Sequence, residues 1–181
     1  MAKGLLKRFS AADLVIIASI AAVGIAVKPI VGPISKFIST PLGIPGGSLA
    51  GGFYMMWLVL AISIVNKRFT GTVFGILQAV LVLLVGMAGK QGMFSLISYT
   101  VPGILADLVF ALIKRRTKLI THLVLSVVAN LAGSLSTAIF FFKLPPLMLC
   151  MNVALATASG IMGGYLAYGT FQALWQTRIV K

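Results

Sequence analysis

Six apolar stretches, almost free of charge, take up most of this chain and fix its fold class before any motif is considered. They run from Leu14 to Val27, Ser48 to Asn66, Phe69 to Gly89, Gln91 to Ile113, Leu119 to Phe142 and Leu147 to about Gln176. A helix rising 1.5 Å per residue crosses a hydrocarbon core of about 30 Å with about 20 such residues. Hydrophobic residues make up 60% of the chain and charged residues 9%, against about 45–50% and 25% in a soluble domain. A soluble core of that composition could not be clothed. Nothing alternates with period two in pieces of about ten residues, as barrel strands do. The chain therefore reads as all-α, a polytopic membrane protein of six transmembrane helices. It forms a single integral membrane domain over residues 1–181, placed in the cell membrane. The first stretch runs into a proline turn rather than a small-x-small cleavage site, so it is expected to remain as a helix.

Fifteen Lys and Arg stand against two acids, Asp13 and Asp107, for a net charge of +13. The basic residues lie in short clusters between uncharged stretches, with no polar domain to carry them, which excludes a nucleic-acid module. Taken loop by loop they divide unevenly. Lys3, Lys7, Arg8, Lys67, Arg68, Lys114, Arg115, Arg116, Lys118, Arg178 and Lys181 fall on one side, and Lys28, Lys36, Lys90 and Lys143 on the other. The positive-inside rule places the larger group, and both termini, in the cytoplasm.

The segment 28–47 holds four prolines and four glycines. It reads as a long irregular outer loop, either a lid over a cavity or a plain covering of helix ends. Catalytic centres are not legible. Asp13 and Asp107 occupy unlike settings for a carboxylate pair, no serine stands out as a partner for the only histidine, His122, and no Gly-rich phosphate loop is present. The lone Cys150 excludes an internal disulfide and a cysteine metal cluster. No catalytic residue, metal site or resident cofactor is assigned, and uphill transport would need ATP hydrolysed by other subunits. As the only acid inside a stretch, Asp107 is expected to pair with Lys114, Arg115 or His122.

Ala18, Ala22 and Ala26 recur every four residues in the first stretch, a stripe without bulk that lets another helix come close, inside this bundle or from a partner. Gly160, Gly163, Gly164, Ala167 and Gly169 repeat the pattern in the last. Six helices, the Pro-rich outer segment and the Ala18-Ala22-Ala26 stripe together resemble the substrate-binding S component of energy-coupling factor (ECF) vitamin transporters. Asn66-Lys67-Arg68-Phe69-Thr70-Gly71 and Pro102-Gly103-Ile104-Leu105-Ala106-Asp107 look most like its hydroxymethylpyrimidine/thiamine branch. The resemblance implies a chain that captures a small vitamin or precursor from outside. It implies that Ala18, Ala22 and Ala26 pack on a transmembrane coupling subunit, and that two ATPase subunits complete the importer. Gln78 stands where that branch often carries an acid, which argues against a cationic ligand.

Polar groups in the outer halves of the stretches are the ligand candidates: Tyr54, Trp57, Gln78, Tyr99, Asn130, Ser134 and Asn152. For each, a helix-to-helix hydrogen bond or an interfacial anchor is the competing role. The outer lysines face no acid, so a neutral or anionic ligand is favoured over a cationic one. A stand-alone channel or facilitator and a small intramembrane enzyme are the alternative functions.

Overall fold

The computed structural model describes residues 9–43, 46–113 and 117–177, and among them there are helices and no strands. Helix α1 (Ala11–Ala26) opens on a capping box. Ser10 Oγ accepts from the Asp13 N–H at 3.2 Å while the Asp13 carboxylate accepts from the Ser10 N–H at 2.6 Å. Two of the orphan donors of a helix start are satisfied in this way.

The first departure from the sequence reading follows at once. Lys28–Ser39 is not an irregular loop but a helix, α2, bent by 46° from α1. Pro29 sits in the first turn of α2, where the missing N–H costs little, and its lack of a donor to the preceding turn accounts for the bend. Pro33 is carried inside the helix. Side chains reinforce the far end, where Thr40 Oγ1 donates to the Lys36 carbonyl at 2.6 Å and Ser35 Oγ donates to the Gly46 carbonyl. A 3-10 turn over Thr40–Leu42 then closes on Gly43 at φ +64, the left-handed conformation glycine supplies. Ile44 and Pro45 of the expected loop lie outside the described residues.

Helix α3 (Gly46–Val65) is the centre of the molecule, with 67% of its most apolar window buried against 28–39% for the three other long helices. Around it stand α4 (Thr70–Leu84), α5 (Ser95–Ile113), α6 (Leu119–Ser136) and α7 (Pro146–Gln176). Glycine sets the closest approaches. A Cβ on Gly163 would fall 2.0 Å from the Gly52 carbonyl oxygen, and one on Gly52 would fall 1.7 Å from that of Ser159. Gly160 and Gly164 likewise admit the α6 backbone at Val127 and His122. Gly160, Gly163 and Gly164 of the last stretch are thus spent inside the bundle, locking α7 against α3 and α6, while Gly169 is exposed.

Helix α4 ends at Leu84, short of the expected Gly89, because the chain turns at Gly86 with φ +71. A 3-10 segment over Gly89–Phe94 leads into α5. At the end of α6 a π-helical turn, Thr137–Phe141, takes in an extra residue per turn, and the Phe142 N–H donates to the Thr137 carbonyl at 3.0 Å. Among the described residues, four helical segments, Gly46–Val65, Gln91–Ile113, Leu119–Phe141 and Pro146–Gln176, are long and apolar enough to cross a membrane. The bent pair α1–α2 makes a fifth if it counts as one span, and α4 is a shorter apolar helix. The chain is an all-helical, multi-pass membrane protein.

A candidate ligand cavity under the bent first helix

The N-terminal end of α3 and the C-terminal half of α6 form one wall of a cavity of about 240 Å³, bounded on other sides by Tyr54, Met55, Ser98, Tyr99 and Phe142. A second compartment of about 400 Å³ adjoins it beneath α2, lined by Lys28, Pro29, Gly32, Pro33, Ser35 and Met87. Lys36, Gly46, Gly47, Tyr54 and Tyr99 belong to both, so α2 forms the roof of one two-part space.

The polar wall is held from behind. Ser134 Oγ donates to Ser48 Oγ at 2.9 Å, Asn152 Nδ2 donates to Ser134 Oγ at 2.8 Å, and Ser48 Oγ in turn donates to Asn152 Oδ1. Three buried polar groups from α3, α6 and α7 close a ring, which fixes the rotamers of the two that reach the cavity, Ser48 and Ser134. Asn130 Nδ2 donates to the Ala156 carbonyl at 2.7 Å and more weakly to that of Ser48 at 3.4 Å. Its Oδ1 occupies the space a side chain at residue 51 would need, 1.8 Å from where a Gly51 Cβ would stand.

At the bend, Lys28 Nζ donates to Tyr99 Oη at 2.8 Å and lies 3.9 Å from the centroid of the Tyr99 ring and 5.5 Å from that of Tyr54. This lysine, one of the four assigned to the outer side, turns inward to the cavity.

Of the candidates read from the sequence, Tyr54, Tyr99, Asn130 and Ser134 line this cavity together. Asn152 stands behind the wall as the third member of the hydrogen-bonded ring. Trp57 and Gln78 do not line it. They pack against α1, where a Cβ on Gly24 would lie 2.7 Å from Gln78 Nε2 and 3.2 Å from the Trp57 ring, and Trp57 Nε1 and Gln78 Nε2 are buried without a hydrogen-bond partner. Sequence reasoning passed over Ser48, Gly51, Ser98, Gly133 and Thr137. A signal for several was present, since Asn130, Gly133, Ser134 and Thr137 follow the i, i+3, i+4, i+7 spacing of a single helix face.

The remaining groups lie at the other end of α3. Asp107 does not meet His122, and Lys114 and Arg115 lie outside the described residues. Its carboxylate accepts from the Gly71 N–H at 2.8 Å and from the Thr72 N–H and Thr72 Oγ1, each at 2.7 Å. Those are orphan donors of the first turn of α4, whose own N-cap position, Phe69, supplies no side-chain bond. Asp13 pairs with Lys67. A serine does stand by the histidine: Ser63 Oγ is 3.0 Å from His122 Nε2, and His122 Nδ1 is 3.1 Å from the Lys118 carbonyl oxygen. The carbonyl requires the proton on Nδ1, so Nε2 accepts from the Ser63 hydroxyl. Both residues are fully buried, with the Tyr168 and Phe171 rings against the imidazole, so no substrate reaches the pair. On α1, Ala18, Ala22 and Ala26 are exposed, beside Val15 and Val23, while Ala21 and Gly24 face the bundle.

No curated protein and no solved structure matches the chain. Residues 12–133 of the 181 match the sequence model of the ABC-type cobalt transport system, permease component, a stretch that takes in α1 through most of α6. The match covers more than half of the chain, so the chain belongs to that family, as a membrane component of a transport system that works with other subunits and not as an enzyme.

Proposed function

We propose that this chain is the substrate-binding subunit of an ATP-driven importer of the energy-coupling factor type. In this reading six helices cross the cell membrane with both termini in the cytoplasm, and the cavity under α2 opens outward. A small water-soluble vitamin or vitamin precursor settles there and is surrendered inside when the partner module, a transmembrane coupling subunit with two ATPase subunits, turns over ATP. The observation that carries the proposal is the cavity itself, a partly apolar space with a wall of braced hydroxyl and amide groups at one end of the bundle. Tyr54, Tyr99, Asn130 and Ser134 are its ligand contacts. The inner compartment, at about 240 Å³, is of the scale of one heteroaromatic ring, in keeping with the resemblance to the hydroxymethylpyrimidine branch.

The exposed alanines support the partner half of the proposal. The stripe Ala18-Ala22-Ala26 is not consumed by packing within this chain, whereas Gly160, Gly163 and Gly164 of α7 are. A face without bulk suits close docking by a second membrane subunit.

The family description names cobalt, and the cavity's donors do not suit such an ion as cargo. Borderline divalent metals take imidazole, thiolate and carboxylate ligands. The lining offers hydroxyls, amides and two lysines, and among the described residues no three His, Cys, Asp or Glu lie together. Native mass spectrometry of the gently purified full chain tests the reading. A co-purified organic molecule of vitamin size is expected, and a mass increment matching a bound metal ion, or no bound molecule at all, would overturn it.

A further inference from the structure

The two-part cavity carries an unbalanced charge. Lys28 is aimed into it from the bend between α1 and α2, its ammonium bonded to Tyr99 Oη and lying over the Tyr99 ring. Lys36, two turns further along α2, lines both compartments. Phenol hydroxyls and ring faces orient a cation but bring no net negative charge to it. The chain has only two acidic side chains, and both are engaged at the opposite end of the bundle, Asp13 with Lys67 and Ser10, and Asp107 with Gly71 and Thr72. The first turn of α3, Gly46 to Ser48, adds the positive end of a helix to the same wall. Lys28, half-buried and with no carboxylate beside it, is completed by a charge from outside the chain, and the exposed Lys36 adds a second positive charge to the same space.

We propose that the ligand bears an anionic group, a carboxylate or a phosphate. Lys28, oriented by Tyr99, pairs with it in the compartment beneath α2, with Lys36 as the second cation. The rest of the ligand lies in the inner compartment against Tyr54 and the braced Ser48–Asn130–Ser134 wall. This assignment rests on the reading of the cavity as a binding site, and it sharpens a general exclusion of cations into a requirement for an anion at a named residue.

The test uses the purified full chain and four probes that share one ring and differ in charge: benzamide, benzoate, phenyl phosphate and benzylammonium. Affinities are read by ligand-observed NMR titration. Breaking a hydrogen-bonded charge pair commonly costs at least a factor of ten in affinity, so one of the two anions is expected to bind at least about tenfold more tightly than benzamide, with benzylammonium weakest. Whichever anion leads distinguishes a carboxylate site from a phosphate site. Lys28→Gln is expected to reduce the anion-to-benzamide ratio to below about twofold, while Lys28→Arg keeps it. Because the readout is a ratio within one protein sample, a misfolded variant, which binds nothing, is told apart from a changed preference. Equal or tighter binding of benzamide or benzylammonium, no binding by either anion, or a ratio unmoved in Lys28→Gln would each overturn the assignment. If the preference is missing yet a compound without an acidic group co-purifies, the binding-subunit reading stands and the anion assignment alone falls.

Discussion

Asp107 serves α4 as an N-cap borrowed from another helix. The chain reaches Thr70 through Phe69 at φ +70, which has no side-chain oxygen to offer, and the carboxylate on α5 takes up the two exposed N–H groups instead. Charge-assisted caps of this kind are worth about 1–2 kcal/mol. Replacing Asp107 by Asn keeps an acceptor and loses the charge, whereas Ala loses both. A graded loss of thermal stability is therefore expected, smaller for Asp107→Asn and reaching about 1–3 kcal/mol for Asp107→Ala. Thermal unfolding of the detergent-solubilised variants checks the order, and indistinguishable stabilities would remove the cap from the account. The sequence showed that Asp107 was exceptional, because an acid inside an apolar stretch is costly without a partner. It could not show the partner, since two of the three donors are the backbone N–H groups of Gly71 and Thr72, which carry no sequence signature, and the third is the hydroxyl of Thr72 on another helix. Gly71 marks the same joint from the other side. A Cβ there would lie 2.7 Å from the Gly103 carbonyl oxygen, so the two motifs that carried the family resemblance meet in space.

Among the elements, α1 and α7 both carry stripes of small residues and use them in opposite ways. Gly160, Gly163 and Gly164 of α7 admit neighbouring backbones and are buried; the alanines of α1 look outward. Spacing alone makes both legible as close-packing faces, and it cannot say which one the chain consumes for itself, because that depends on how the helix is rotated in the bundle. Ala22→Trp is expected to leave ligand affinity within about twofold while abolishing co-purification with the coupling subunit, since one indole fills the approach that a stripe of methyl groups leaves open. An intact complex would assign the face to lipid. The bent helix α2 was hidden for a different reason. Pro29, Pro33 and the glycines of 28–47 all lower helix propensity, and what overrides them is tertiary: α2 packs on α3, and Ser35 ties it to the Gly46 carbonyl. The cavity's polar wall was half legible. Asn130 and Ser134 stand out as amide and hydroxyl in an apolar helix, while Gly51 and Gly133 contribute by having no side chain at all.

Over the whole molecule, charge is sorted by end. Asp13, Lys67, Arg68 and Lys118 gather where α1 begins and α3 finishes, and Lys28 and Lys36 lie about 30 Å away, at the other end of the twenty-residue α3. Reporter fusions after Arg68 and Lys118 are expected to report cytoplasm, and fusions near Lys36, Lys90 and Lys143 the outside. An odd number of crossings would remove the six-helix arrangement.

The fifteen residues of α4 have a further effect on that arrangement. At 1.5 Å per residue the helix is about 22 Å long, roughly 8 Å less than an average hydrocarbon core, while the thirty-one residues of α7 reach about 46 Å. Ile76, Val80 and Leu84 of α4 are exposed, as are Leu147, Met162 and Tyr165 of α7, apolar surface that the six-helix arrangement would turn to lipid. In the proposed six-helix arrangement, hydrophobic mismatch at fractions of a kcal/mol per Å would act unevenly around the protein, drawing the bilayer thin beside α4 and allowing α7 to tilt. In that arrangement the surrounding annulus is not a uniform solvent, and the lipid thickness that suits this chain best is set by α4.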